Sequence, residues 1–382
     1  MSGMAVSLGY SVVGPVLPQI SAELAHGPRD AYLVKLVLGI IGAATIIGAP
    51  AAGYLSDWLG RRWILTFAAL FYAVAGCAPI FLTDLAAILV SRACLGLAAS
   101  AIATLGIAMV GDHFEDQRRS QWIGVVVAVA MLGNIAFTPI AGFLGELGWR
   151  TPFYIYLIGI PLGVFACFGS GRDPAVPQHR SKNGHVVPQR RRHIPVKLMV
   201  EAAMTGGIIY VPAIYLPFRL REVGFSGPSQ IGLLLTLEAL FGAMVALSYG
   251  RARKFLSHGA AFLVSFGCVA VGMSLIALNT SNVGIFTGLV VWGLGLGWLS
   301  PNILAYASSY GDGLDRGRVL GLAKASLSIA PIIGISLLEP VSIRHGAGGV
   351  LLVATALALI MFCWAVTQEM TSKPRVKVML RK

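Results

Sequence analysis

The segment at positions 53–62 reads Gly-Tyr-Leu-Ser-Asp-Trp-Leu-Gly-Arg-Arg, and it connects two long apolar runs near the beginning of the chain. The runs beside it, residues 31–52 and 63–82, each have about the 20 residues of helix that cross a hydrocarbon layer of about 30 Å. Its two glycines permit a tight turn between closely packed helices, and two arginines end it with positive charge. The segment therefore predicts a short basic connection between two membrane-spanning helices.

The composition of the whole chain is that of a membrane protein. The 382 residues are 56% hydrophobic and 12% charged, with 46 glycines, and the mean hydropathy is +0.78. Soluble domains are about 45–50% apolar and about 25% charged. Too little polar surface remains to cover a water-soluble protein of this size. A cytosolic enzyme, a disordered protein and a secreted disulfide-rich domain are therefore excluded.

Apolar runs of spanning length recur along the chain and predict an all-α integral membrane protein with twelve transmembrane helices. Only helices satisfy their own backbone in lipid, and no segment alternates over about ten residues as the strands of a membrane barrel do. The predicted helices cover residues 1–25, 31–52, 63–82, 85–110, 121–145, 152–170, 198–218, 229–249, 259–279, 283–307, 319–339 and 347–368.

Lysine and arginine are divided unevenly between the two predicted sides of the membrane. Twenty-one of them lie in the connections and the tail on one side, six lie on the other side, and two, Arg92 and Lys324, lie inside predicted helices. Positively charged connections remain in the cytoplasm. Both termini are therefore predicted to be cytoplasmic.

The longest polar stretch separates the first six predicted helices from the last six. It predicts an N-terminal bundle (1–170), a basic cytoplasmic linker (171–197), a C-terminal bundle (198–370) and a basic cytoplasmic tail (371–382). The linker lacks the interleaved aromatic residues of nucleic-acid-binding segments. The net charge of +13 is therefore attributed to membrane topology, and no nucleic-acid partner is expected.

The two halves also repeat each other weakly. The same spacing separates an arginine from a glycine at the start of helix five (Arg119, Gly124) and of helix eleven (Arg316, Gly321). Together with the segment 53–62, which fits G-x-L-[A/S]-D-x-x-G-R-[R/K], this repeat makes the chain resemble the major facilitator superfamily. The resemblance implies two pseudo-symmetric six-helix bundles with a substrate site at their interface.

The resemblance further implies that the connection 53–62 is a conformational latch. Asp57 would brace helix eleven, and Arg61 would pair with Asp112 at the end of helix four, which stabilises the outward-facing state. Trp58 stands where the family commonly has an arginine. The alternative interpretation is a basic loop that only sets topology. The implied latch residues are Gly53, Asp57, Gly60, Arg61, Arg62 and Asp112.

Arg92 lies about seven residues, or roughly 10 Å, into helix four. The segment 92–99 is similar to the family pattern R-x-x-Q-G-x-G-A at Arg92 and Gly96, whereas Leu95 replaces the glutamine. A charge at that depth requires a partner or a water-filled cavity. Two interpretations stay open, a role in proton coupling and a structural pair.

Helix five resembles a degraded form of the glycine- and proline-rich motif of exporters in this superfamily. It keeps Gly133, Pro139 and Gly142, with Thr138 and Ala141 in place of glycines. Proline and small residues predict a kinked, closely packed helix that is suited to gating. The resemblance favours export over import.

Two further charges interrupt predicted helices. Glu238 lies nine residues, or roughly 14 Å, into helix eight and therefore near the middle of the bilayer. A lone carboxyl in hydrocarbon favours its protonated form, so Glu238 either couples transport to protons or stays protonated and bonds a neighbouring helix. Lys324 in helix eleven is expected to counter Glu238 or a substrate anion, or to extend toward the interface.

The family lines its central cavity with helices one, four, seven and ten. On this sequence these helices offer an aromatic, mostly neutral lining, which suits amphipathic organic substrates through stacking and cation–π contact. The same aromatic residues are equally compatible with interfacial anchoring or packing. The candidate cavity residues, with one from helix five, are Tyr10, Asn134, Tyr210, Tyr215, Trp292, Trp298 and Asn302.

The sequence thus predicts a monomeric secondary active transporter of a bacterial inner membrane, which exports small amphipathic compounds in exchange for protons. Two alternatives stay open: a proton-linked importer of a sugar or organic acid, and a non-transporting receptor or assembly protein with the same fold. The chain has no Gly-x-x-x-x-Gly-Lys-[Ser/Thr] loop, which excludes an ATP-driven pump. No enzymatic residue cluster or metal-ligand spacing is present, so no cofactor or metal is expected.

Overall fold

The computed structural model describes residues 4–113, 116–169, 196–309 and 314–372, and these residues are almost entirely helical. The chain crosses the molecule twelve times in antiparallel succession. In chain order the segments are Met4–Ser11 with Gly14–Val16 and Leu17–Leu24 (α1), Pro28–Leu59 (α2), Arg61–Cys77 (α3), Leu85–His113 (α4), Asp116–Gly145 (α5), Thr151–Ile158 with Gly159–Gly169 (α6), Val196–Glu222 (α7), Pro228–Ala252 (α8), His258–Leu278 (α9), Asn282–Ser308 (α10), 314–345 (α11) and 347–372 (α12).

Within the described residues, ten helical segments are long and apolar enough to cross a membrane. One of them, Val319–Met370, contains parts of both α11 and α12, because the chain turns at Gly346 with a φ of 66°. The segment α1 is not among the ten. Pro15 and Pro18 lack a backbone N–H, and the helix is divided around them into short pieces. With α1 added and the long segment divided, the twelve predicted helices and the all-α membrane class are confirmed.

The segment 53–62, which the sequence predicts to be a short connection, belongs mostly to helices. Helix α2 continues to Leu59 and α3 begins at Arg61, so Gly60 alone separates them. Residues 54–59 contain neither proline nor glycine, so the helix continues to Gly60. The φ of 84° at Gly60 lies in the left-handed region that glycine adopts without strain. The predicted turn is therefore a single residue, and the exposed side chains before it belong to the last turns of α2.

The two ends of the molecule are named here after the glycines at which the chain turns. The Gly60 end carries the α2–α3 turn and the α8–α9 connection at residues 253–257. The Gly346 end carries the α11–α12 turn and the connections at residues 25–27, 81–84, 146–150, 223–227 and 279–281.

Two hydrophobic cores fill the molecule. The first is built mainly from α1–α6, and the second from α7–α12. Val211 and Ile214 of α7 and Ile335 of α11 join the first core, so the two halves pack together there. The predicted domain bounds stay a prediction, because most of the linker 171–197 and of the tail 371–382 lies outside the described residues.

Candidate functional site

The two halves are joined by a buried ion pair near the Gly346 end. Lys35 Nζ of α2 lies 2.8 Å from Oε1 and 2.7 Å from Oε2 of Glu339 on α11. The Tyr215 hydroxyl of α7 donates to Glu339 Oε2 at 3.1 Å. Beside the pair, the Tyr32 and Ser336 hydroxyls lie 2.8 Å apart. These contacts join α2 of the first half to α7 and α11 of the second.

Two more polar contacts cross between the halves at the same end. Arg221 Nη1 of α7 donates to the carbonyl of Pro18 in α1 at 2.6 Å. The Glu146 carboxylate, just after α5, accepts hydrogen bonds from the Ser229 amide at 3.1 Å and the Ser229 hydroxyl at 2.6 Å. These two hydrogen bonds stabilise the ionised carboxylate and lower the pKa of Glu146. The Gly346 end is therefore closed by contacts from several helices.

The helix-five residues lie at close contacts of α5. A methyl group at Gly142 would lie 2.6 Å from the carbonyl oxygen of Pro228 at the start of α8. A methyl group at Gly133 would lie 2.7 Å from the Met4 side chain of α1. Pro139 lies within α5 between them. The structure thus places Gly142 in the contact between the halves and Gly133 inside the first half.

A cavity of about 300 Å³ separates the halves toward the Gly60 end. This central cavity is lined by Tyr10 of α1 and Tyr210 of α7, whose rings stack with centroids 5.9 Å apart and planes at 28°. Lys324 of α11 is the charged residue of the described lining. Three of the candidate residues are therefore brought together. Hydroxyl groups in the lining come from Thr45, Ser100, Thr104 and Ser328.

A second cavity of about 580 Å³ lies between α5, α8 and α10. Glu238, near the middle of α8, and Asn134 of α5 line this lateral cavity, and Asn134 also accepts a hydrogen bond from the Ser11 hydroxyl of α1. The lining is otherwise small or apolar apart from Ser300. The two cavities share no lining residue, so the structure does not bring Lys324 to Glu238.

Arg92 is fully buried inside the first half and lines neither cavity. Its Nη2 atom donates to the carbonyls of Ala75 and Gly76 at 2.7 and 2.8 Å, at the end of α3. The guanidinium lies over the rings of Phe153 and Tyr156, with centroid distances of 5.1 and 5.2 Å. This geometry favours the structural interpretation of Arg92 over a role in proton coupling.

Four candidate cavity residues lie outside both described cavities. Tyr215 belongs to the closed Gly346 end, and Trp292 is fully buried in the second core. The Trp298 indole donates to a carbonyl of α8 at 2.9 Å. Asn302 is fully buried, and its amide donates to the carbonyl of His258 at 3.0 Å. Their predicted role in lining the central cavity is therefore not supported by their positions.

Helix α10 packs unusually close to its neighbours within the second half. A methyl group at Gly293 would lie 2.4 Å from the Glu238 carbonyl oxygen, and one at Gly297 would lie 2.4 Å from the Gly242 carbonyl oxygen. The glycine-rich stretch 293–297 therefore serves helix contact. Because α10 packs closely against other helices of the second half, its aromatic side chains pack within that half and do not reach the central cavity.

The latch residues lie at the Gly60 end. A methyl group at Gly53 would meet no atom of the described residues within 4 Å. Arg62 donates a hydrogen bond to the Cys167 carbonyl near the end of α6. The side chains of Asp57 and Asp112 lie outside the described residues. The predicted latch stays a prediction.

The buried pair of Lys35 and Glu339 was not found by sequence reasoning. Lys35 was counted among the cations of one membrane side, and Glu339 was not singled out. The available signal was that each charge interrupts an apolar run. Glu201 of α7 was also missed; its side chain is 6% exposed and lies 3.8 Å from Lys197 Nζ.

The sequence and fold can be compared with known proteins. Residues 1–335 match the family profile described as Major Facilitator Superfamily. Multidrug resistance protein 1 of Bacillus subtilis is 24% identical over 336 residues, which cover 86% of this chain and 84% of that protein. Tetracycline resistance protein, class C, of Escherichia coli is 25% identical over 344 residues, which also cover 86% of this chain and 84% of that protein.

The same fold is found among solved structures. The crystal structure of a D-xylose–proton symporter matches with a TM-score of 0.79 at 14% identity, covering 95% of this chain and 94% of that one. At this identity the likeness concerns the fold alone. Since the family profile covers most of the sequence, this chain belongs to the major facilitator superfamily, whose members are membrane transporters.

Proposed function

We propose that this protein exports small amphipathic organic compounds in exchange for protons, by alternating access between its two halves. The supporting observation is the asymmetry of the interface between the halves. Polar contacts around Lys35 and Glu339 join the halves at the Gly346 end, whereas the central cavity separates them toward the Gly60 end. A path that is closed at one end and widened toward the other is what alternating access requires of each conformation.

The distribution of lysine and arginine supports an assignment of the two ends of the molecule to the two sides of the membrane. Along the sequence, twenty-one arginines and lysines fall in the segments that join helices at the Gly60 end or follow α12, against six toward the Gly346 end. This bias supports a cytoplasmic position for the Gly60 end in a bacterial cell. We therefore propose that the structure is inward-facing and that both termini are cytoplasmic. The basic residues that support this orientation are Arg61, Arg62, Arg251, Arg253 and Lys254.

The central cavity supports an amphipathic substrate. Its volume is at the lower end of the roughly 300–1,000 Å³ of small-molecule sites. The stacked rings of Tyr10 and Tyr210 offer an aromatic surface, and hydroxyl groups beside them offer hydrogen bonds. The resistance proteins of similar sequence and the exporter-like residues of α5 support export as the direction.

Glu238 is the proposed proton-coupling residue. It lies near the middle of α8 in the lateral cavity, and no hydrogen bond or ion pair to its carboxyl occurs among the described residues. A membrane carboxyl that faces a cavity can take up a proton from one side and release it to the other when the cavity changes its exposure. Arg92 is left out of this proposal because it lines neither cavity and its Nη2 atom donates to backbone carbonyls inside the first half.

The latch is proposed for the opposite conformation. When the Gly346 end opens, α2 and α11 approach each other at the Gly60 end. Among the described residues, no atom lies within 4 Å of a methyl group placed at Gly53 of α2 or at Gly321 of α11, so each can receive a neighbouring helix. The Asp57 carboxylate would then brace α11, as the family resemblance implies.

Purified protein in liposomes with an internal pH-sensitive dye tests the proposal. Addition of ethidium, an aromatic cation, is expected to release protons through the wild-type protein. Glu238→Gln is expected to lose this proton movement, because its amide exchanges no proton. Glu201→Gln is the matched control, since Glu201 is a buried carboxyl that lines neither cavity, and it is expected to retain the movement. Retention of the proton movement in Glu238→Gln would contradict the assignment.

Import of an organic acid is the second candidate, and Lys324 favours it. A cation in the central cavity suits an anionic substrate. The same liposomes distinguish the two functions. Proton uptake that accompanies an organic acid, is absent with ethidium and is lost in Lys324→Gln would establish import. No movement with dyes, sugars or acids would favour a non-transporting member of the family.

A further inference from the structure

We propose that Lys35 and Glu339 form the gate of the exit path, an ion pair that holds the Gly346 end closed and separates when that end opens. The proposal rests on the alternating-access part of the proposed function and is independent of substrate and direction. It assigns a role to two residues that neither the sequence patterns nor the family resemblance singled out.

The geometry of the pair is well defined. Lys35 Nζ contacts both carboxylate oxygens of Glu339 and donates to the Ser342 hydroxyl at 3.0 Å. It also lies 5.0 Å from the centroid of the Tyr215 ring, whose hydroxyl donates to Glu339. The Lys35 and Glu339 side chains are 7% and 10% exposed. The Lys35 ammonium group is therefore satisfied by groups of the second half, and the Glu339 carboxylate by Lys35 and by Tyr215 of its own half. The set of contacts is complete only while the halves are in contact.

The pair lies between the central cavity and the Gly346 end. Lys35 precedes Gly42, which lines the cavity, by seven residues, or about 10 Å along α2. Between them, a methyl group at Gly39 would lie 3.0 Å from the Ile335 side chain of α11. The contact of α2 with α11 thus continues from the pair down to the cavity, so a substrate leaving between these helices must separate Lys35 from Glu339.

An ion pair is suited to a contact that must break in every cycle. Burying two charges costs nearly as much as their attraction returns, so the intact pair holds the halves together only weakly. When the gap opens, water solvates both charges again. A closure made of apolar side chains would instead expose apolar surface to water, which is unfavourable. Removing one partner is different, because the remaining charge is buried alone in the closed conformation.

Distances between two spin labels at the Gly346 end test the gate. Phe81→Cys in the first half and Val283→Cys in the second are suitable sites, since these side chains are 83% and 77% exposed. Glu339→Gln and Lys35→Met are each expected to raise the fraction of long distances about tenfold, because one buried charge loses its partner. The charge-reversed double variant Lys35→Glu/Glu339→Lys is expected to return toward the wild-type distribution. The labels require replacement of the native thiols at Cys77, Cys94, Cys167, Cys268 and Cys363.

The matched control is Glu23→Gln. Glu23 pairs with Arg150 at 2.7 Å at the same end, but both residues belong to the first half, so the label distances are expected to stay unchanged. Wild-type distances in both single variants, or a charge-reversed variant that is as open as they are, would overturn the proposal. If a single variant does not fold, the charge-reversed variant decides: folded and closed supports the gate, folded and open overturns it. Because no transport is measured, a failed export assay leaves this result standing.

Discussion

Arg92 is a buried charge whose partners differ from those that its position in an apolar helix predicts. Its depth in an apolar helix predicts that it needs a partner, and the usual expectation is a carboxylate or a wet cavity. The partners are instead the last carbonyls of α3, at Ala75 and Gly76, and two aromatic rings of α6. Carbonyls at a helix C-terminus carry partial negative charge and lack helical donors. Arg92 therefore connects α3, α4 and α6.

Replacing Arg92 is expected to destabilise the protein without uncoupling it. Arg92→Met removes charge-assisted hydrogen bonds to the Ala75 and Gly76 carbonyls, at a cost of about 1.5–3 kcal/mol. Thermal unfolding in detergent measures this loss, and the ratio of protons to substrate in liposomes is expected to stay at the wild-type value. Arg92→Lys, which keeps the charge but not the planar donor geometry, is expected to be intermediate in stability. A changed ratio at unchanged stability would restore Arg92 as a coupling residue.

At the scale of elements, the contact of α5 with α8 depends on small side chains. Gly142 of α5 faces the backbone of Pro228 and Ser229, and Gly232 of α8 faces the Thr138 carbonyl, where a methyl group would lie 3.0 Å away. Backbones that approach this closely exclude even a Cβ atom. At these positions the two halves therefore meet backbone to backbone.

Gly142→Ala is expected to weaken this contact. Its methyl group would lie 2.6 Å from a backbone oxygen, so the helices must move apart, at a cost of about 1–3 kcal/mol. Because this contact is made in the closed conformation, the substitution destabilises that conformation. The distances between the spin labels at the Gly346 end are therefore expected to lengthen. Gly250→Ala on α8 is the matched control, since its methyl group would meet no atom within 4 Å in the part of the chain that the structure describes. Equal effects of the two substitutions would show that the α5–α8 contact does not hold this end closed.

At the scale of the whole molecule, the contacts that close the Gly346 end differ in how deeply they are buried. The pair of Lys35 and Glu339 is buried, whereas Glu146 is exposed and binds Ser229 in the first turn of α8. A carboxylate at a helix N-terminus also interacts favourably with the positive end of the helix dipole. Both contacts join the halves, and both lie at the Gly346 end, so each favours the same conformation.

Acid is expected to weaken the exposed contact. The pKa of Glu146 is lowered by its hydrogen bonds to Ser229, so the closed conformation favours the ionised form. Its stabilisation is complete above the ordinary glutamate pKa of about 4.3 and is lost as the pH falls through the lowered value. Label distances measured from pH 7 to pH 3 are therefore expected to lengthen more in the wild type than in Glu146→Gln. An identical acid response in both would exclude Glu146 from closure.

The sequence alone determined the membrane class, the twelve helices and the family, because the length of an apolar run and the spacing of a motif are local properties of the chain. It located the connection between α2 and α3 within residues 53–62 and selected Tyr10, Tyr210 and Lys324, which line the central cavity together. Tyr10 and Tyr210 lie on helices one and seven, which the family resemblance predicted to line the cavity, whereas Lys324 was selected only as a charge inside helix eleven.

Only the tertiary structure decided which side chains meet. Lys35 and Glu339 are 304 positions apart, and no local pattern relates them. Whether Trp292 faces a cavity or the second core depends on the rotation of α10 about its axis, which close glycine contacts with α8 and α9 fix. Rotation and pairing of helices arise from packing between distant segments, so they cannot be obtained from hydropathy along a single helix.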